Sequence, residues 1–78
     1  MELQEAVKLR IIKLCDERNI TINKLSTLSG MQQSTVNSLV DGASQNPKLF
    51  TILRLCFGLN ITLKEFFDDE IFNEIEDN

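Results

Sequence analysis

The sequence predicts an all-α domain of five helices, with a short sixth helical extension at the C-terminal end. Three observations carry that expectation. Apolar residues recur every three or four positions, and no segment alternates as a half-buried strand would. Helix-starting residues (Thr21, Asn46-Pro47, Thr62) and helix-ending ones (Gly30, Asp41-Gly42, Gly58) punctuate the periodic runs at short intervals. No repeat and no low-complexity linker interrupts them.

The first helix is expected over "ELQEAVKLRIIKLCDERN", ending near Asn19, with Leu3, Val7, Ile11, Leu14 and Cys15 inward. Thr21 caps the second, from about Ile22 to Ser29, and Ile20 staples onto Leu25; Leu25 and Leu28 face the core. Gly30 supplies the sharp turn. Helix three runs from about Gln33 to Val40, with Gln32 as N-cap and Met31 stapled to Val36. On a helical wheel Val36, Leu39 and Val40 fall on one side, and Gln33, Ser34, Asn37, Ser38 and Asp41 on the other. Asp41-Gly42 ends it, and "GASQN" is a polar loop. Asn46 caps helix four with Pro47 at its first position; Leu49, Ile52, Leu53 and Cys56 form its inward stripe, and Gly58 closes it. Thr62 and Glu65 form a capping box for helix five, with Ile61 stapled to Phe66.

A chain of 78 residues suits one domain, expected over residues 1–67, followed by an acidic tail over 68–78. A core of this size is marginal alone, which favours dimerisation. No segment approaches the ~20 apolar residues needed to cross a bilayer, and no basic, apolar leader opens the chain, so a cytoplasmic location is expected. Cys15 and Cys56 sit among aliphatic neighbours and read as small buried hydrophobes. There is no histidine, no glycine-rich phosphate loop and no carboxylate pair in an apolar setting, so an enzyme is not expected; no cofactor or metal is implied.

Net charge is −4, but its distribution is uneven. Residues 1–64 hold all eight Lys and Arg against five acids, a surplus of +3; residues 65–78 hold seven acids and no base, −7. In the tail, Ile71, Phe72 and Ile75 recur at helical spacing, so it can fold as an amphipathic piece against helices four and five or in a dimer contact; a frayed end is the competing expectation.

The stretch "LSGMQQSTVNSLVDG" is where chemistry concentrates. A plain surface helix favours Glu, Lys and Ala, whereas this one shows Gln, Ser, Thr and Asn, which both donate and accept hydrogen bonds. Two short helices joined at Gly30 match the helix-turn-helix pattern, whose second helix meets DNA base edges with its N-terminal residues. Gln can pair bidentately with adenine, Ser, Thr and Asn reach bases or phosphates, and the Thr35 methyl and Met31 add apolar contact. A solvated helix face is the plainer alternative, and Lys24 and Lys48 could serve solubility alone.

From Ile20 to Phe67 the chain, "ITINKLSTLSGMQQSTVNSLVDGASQNPKLFTILRLCFGLNITLKEFF", resembles the phage-repressor-like helix-turn-helix family, the XRE or Cro type. The set of signals is specific where each alone would be weak. The resemblance implies a compact five-helix lambda-repressor-like domain that binds double-stranded DNA, acts as a homodimer on palindromic operators, and has no enzymatic activity. Carried over by position, Gln32, Gln33, Ser34, Thr35, Asn37 and Ser38 fall where such proteins contact bases and nearby phosphates. Thr21, Asn46 and Lys48 fall where they grip the backbone. The chain departs from the pattern at three places. Ile22 stands where the family often has a phosphate-binding Gln; Cys15 and Val40 stand where relatives pair a base with an acid; the loop 43–48 has Lys48 as its single charge. The function expected is a sequence-specific transcriptional regulator, a repressor, inserting helix three into the major groove. The alternative is a protein-interaction module, or an antitoxin-like regulator whose acidic tail binds a partner protein.

Overall fold

In a computed structural model, described over residues 1–42 and 46–76, the chain forms α1 (Leu3–Arg18), α2 (Ile22–Leu28), α3 (Gln33–Val40), α4 (Leu49–Leu59) and α5 (Leu63–Phe67). A 3₁₀ helix, Glu70–Glu74, follows, and no strand occurs among the described residues. The all-α, five-helix architecture is the one the periodicity predicts. Residues 43–45 of the polar loop lie outside the described part.

The core is built by one residue stripe from each helix: Val7, Ile11, Leu14 and Cys15 of α1, Leu25 of α2, Val36 and Leu39 of α3, Ile52, Leu55, Cys56 and Leu59 of α4, and Phe66 of α5. Burial raises the pKa of both Cys15 and Cys56, so at neutral pH they pack as protonated thiols. Ile22, at the position where relatives often carry Gln, packs against this core, as does Val40.

Three of the joints between helices share one construction. Asn19, Gly30 and Asn60 take the left-handed conformation, with φ of 55°, 63° and 58°. After each, the next backbone N–H reaches back five residues: Ile20 to Cys15 O, Met31 to Ser26 O and Ile61 to Cys56 O, each 3.0 Å. This is the Schellman arrangement, which satisfies carbonyls that a helix end leaves open. The residues accepting those bonds, Cys15, Ser26 and Cys56, are all buried. Ile20, Met31 and Ile61 pack on the core and are followed at once by the next N-cap: Thr21, Gln32 or Thr62. One apolar residue thus ends one helix and staples the next. The Thr62–Glu65 capping box forms with both bonds at 3.0 Å. So the helix-turn-helix corner is the middle copy of a thrice-used joint, a local recurrence hidden by different residue identities.

Several local expectations are corrected. Helix α4 starts at Leu49 with Lys48 as N-cap, not at Pro47 with Asn46 as cap. Pro47 instead lies half-buried before α4 and lines a cleft together with Leu39 of α3. Gly58 does not close α4, which continues to Leu59 and ends at Asn60. Its role is steric: a Cβ there would sit 2.2 Å from Ser29 Oγ and 2.9 Å from Ser29 N. The glycine lets the last turn of α2 press its backbone onto α4, so Ser26 and Ser29 are buried and Leu28 points outward. Leu49 and Leu53, both expected inward, are exposed and half-buried respectively, because Ile52, Leu55, Cys56 and Leu59 set the buried phase of α4; Leu3, in the first turn of α1, is exposed as well.

The tail is anchored to α1 and α5 instead of covering α4. Arg10, buried in α1, donates from Nε to Phe66 O (2.6 Å) and from Nη2 to Glu65 O (2.8 Å), filling carbonyls at the end of α5. Its Nη1 meets Asp69 Oδ2 at 3.2 Å, which Lys13 Nζ also reaches at 2.7 Å. Phe72 meets Phe67 edge-on, centroids 5.0 Å apart, and its ring lies 6.2 Å from that of Phe66.

Candidate nucleic-acid interface

Helix α3 is positioned from both ends of the motif. Behind it, Val36 and Leu39 are buried, fixing which side faces out. At its entrance, Gly30 makes the turn, and Arg54 of α4 holds that turn by donating from Nη2 to Gly30 O (3.0 Å) and Ser29 O (3.4 Å). Nothing in the sequence singles Arg54 out from the other bases. Its partners are carbonyls from residues far away in the chain, and no local spacing announces them.

The outward side of α3 collects the polar residues named from sequence. Gln32, Gln33, Ser34 and Thr35 are exposed; Asn37 and Ser38 are partly buried. No charged residue lies within Gln33–Val40. Gln32 makes no side-chain cap bond, so the first N–H groups of α3 receive no side-chain acceptor from it. Such an end presents partial positive charge to an anion. Ser38 donates its hydroxyl to Ser34 O at 2.7 Å, which leaves its oxygen lone pairs for an outside donor.

Thr21 is exposed at the start of α2, its Oγ1 accepting the Lys24 N–H at 3.0 Å. Asn46 and Lys48 are exposed and join Thr35, Ser38, Leu39, Pro47 and Thr51 around one shallow cleft between α3 and α4. The structure therefore brings Thr35, Ser38, Asn46 and Lys48 together, with Thr51 added. Thr21 and Gln32 each stand at the N-cap of a motif helix.

The Cro/C1-type helix-turn-helix DNA-binding domain matches residues 10–70, which run from the middle of α1 to the start of the 3₁₀ helix. The chain belongs to that family. This family member is a DNA-binding regulator by its fold, and its α2–α3 pair is the helix-turn-helix unit. A solved structure described as the crystal structure of the prophage Lp1 protein 11 is 38% identical to it, with a TM-score of 0.82 over 96% of this chain and 100% of that one. No curated protein matches the chain. No helix among the described residues is long and apolar enough to cross a membrane.

Proposed function

We propose that this Cro/C1-type domain is a sequence-specific transcriptional repressor that inserts α3 into the major groove of double-stranded DNA as a homodimer. The observation that carries the proposal is the outward face of α3. Gln32, Gln33, Ser34 and Thr35 are exposed at the N-terminal end of the second motif helix, and Asn37 and Ser38 follow partly exposed, all uncharged and able to donate and accept. Base edges are read by such groups; phosphates are met by cations and free N–H groups. The second role falls to Lys48 with Asn46 in the cleft beside α3, and to Thr21 at the start of α2. So few cations near the reading face imply a shallow salt dependence, since each phosphate neutralised adds about 0.9 to the slope of log K against log salt.

The test is an NMR titration of labelled protein with a duplex from upstream of its own gene, at low salt. Shifts concentrated on Thr21, Gln32 to Ser38 and Asn46 to Lys48 are expected. Shifts absent there but present on the tail, with a protein partner added in place of DNA, would overturn the proposal.

A further inference from the structure

Helix α4 carries a second, outward apolar stripe. Leu49, Phe50 and Phe57 are 59%, 66% and 70% exposed, and Leu53 is half-buried between them. Phe50, Leu53 and Phe57 follow one another at spacings of three and four, which places them in a line on the side of α4 away from Ile52, Leu55 and Leu59. Two phenylalanine rings that each leave about two-thirds of their surface in water are unusual on a chain with a marginal core, and an apolar patch of this kind marks an interaction site.

We propose that this stripe is the homodimer contact, with the α4 helices of two copies packed antiparallel, Leu53 near the two-fold axis and Phe50 of each copy against Phe57 of the other. The proposal deepens the homodimer proposed above and rests on that reading. Charge favours a second copy as the occupant. The chain is −4 overall, so two copies carry like net charge and a charged face gives a second copy no general advantage. Residues Leu49–Leu59 hold no acid and one base, Arg54, whose guanidinium is engaged by the α2–α3 turn. Arg54, next to Leu53 near the axis, keeps its guanidinium on the α2–α3 turn of its own copy, so the seam itself brings apolar side chains together, and a charged partner would find no counter-charge on it. The spacing is self-complementary too. Phe50 and Phe57 are two turns, ~10 Å, apart, and Leu53 lies between them, the three–four seam that coiled helices use. An antiparallel pair satisfies the isologous rule that residue i meets j and j meets i.

The area sets the strength. Leu49, Phe50 and Phe57 together expose roughly 350–400 Å² of side chain per copy, given ~200 Å² for a whole phenylalanine. That is about half of what each partner gives to a standard stable interface, so the dimer is weak and held together by few residues. The stripe also begins beside Lys48 and Thr51 of the cleft next to α3, so pairing joins two copies close to their DNA-reading surfaces.

The test is sedimentation equilibrium without DNA, from low micromolar to near-millimolar protein. Wild type is expected to pass from monomer to dimer in that range. Phe50→Lys and Phe57→Glu, at exposed positions that leave helicity unchanged, are each expected to weaken dimerisation at least about tenfold. The double variant carrying both is expected to recover it, because each new Lys then faces a Glu of the other copy. Single variants that dimerise like wild type would overturn the assignment of the face, and an unrescued double variant would overturn the antiparallel pairing. Wild type that stays monomeric throughout would overturn both. In case a variant unfolds, isotope-filtered contacts between Phe50 and Phe57 rings in a mixed-label wild-type sample decide the same pairing: their presence supports it and their absence from a dimeric sample overturns it. Duplex binding is measured separately, so failure of the dimer face is distinguishable from failure of DNA reading.

Discussion

At the scale of single residues, Arg10 does work that the exposed Arg18 does not. Arg10 is buried and has partners for its Nε, Nη1 and Nη2, two of them carbonyls at the end of α5. Replacing it with Met would leave Phe66 O and Glu65 O without their side-chain donor, while Asp69 keeps Lys13 and the Ile71 N–H. Leaving those carbonyls short of a donor costs about 1–3 kcal/mol, which chemical denaturation of Arg10→Met would read. The Lys13–Asp69 pair, whose lysine is largely exposed, adds little by itself. On the proposed reading face, Gln33→Ala is expected to weaken specific binding by about 1–3 kcal/mol and relax preference at one base pair. Lys48→Ala is expected to weaken all duplexes alike and to flatten the salt slope. Competition binding on a panel of single-base operator variants separates the two; equal effects on every sequence would remove the division of roles.

At the scale of elements, the crossing of α2 on α4 depends on a missing side chain. In an isolated helix Gly→Ala stabilises by about 1 kcal/mol. At Gly58 the sign reverses, because the new Cβ would meet Ser29 Oγ at 2.2 Å and the Ser29 backbone N at 2.9 Å. The hydroxyl can rotate away; the backbone cannot. Gly58→Ala is therefore expected to destabilise by about 1–3 kcal/mol and to shift amide signals around Ser29 and Gly30, the turn that aims α3. A thermal melt showing stabilisation would disprove the close crossing. Ser29 Oγ is also buried without a hydrogen-bond partner among the described residues, in keeping with a contact driven by backbone approach instead of by polar pairing.

At the scale of the whole molecule, the strongly acidic end is fastened across the basic side of α1. The Asp69 carboxyl is held below its ordinary pKa, first by the hydrogen bond from the Lys13 ammonium, then by the Ile71 N–H, with the charges of Lys13 and Arg10 assisting. A carboxyl whose folded pKa is depressed contributes stability above its unfolded pKa of about 3.9. That contribution is lost as pH falls through the lower folded value. The tail is thus expected to loosen in the acid limb below about pH 4, seen as loss of ring-current shifts around Phe72 before the helices melt. Asp69→Asn should remove this pH dependence; an unchanged acid limb would place its origin elsewhere.

Much of this protein was legible in the chain alone, because helix periodicity, Thr N-caps, a Gly turn and a Thr–Glu capping box are set by residues within five positions of one another. The five helices, the helix-turn-helix corner and the polar outward face of α3 all follow from such short-range chemistry. What the chain could not announce depends on neighbours remote in sequence. The start of α4 moved from Pro47 to Leu49, Gly58 became a crossing point instead of a stop, and Leu28 and Leu49 turned outward. Arg54 took the α2–α3 turn and Arg10 took the end of α5 and the tail. Each of these was decided by which helix backbone presses on which, and by which buried carbonyls then need a donor. Sequence spacing specifies a helix and its apolar side, but only packing selects the part of that side that is covered.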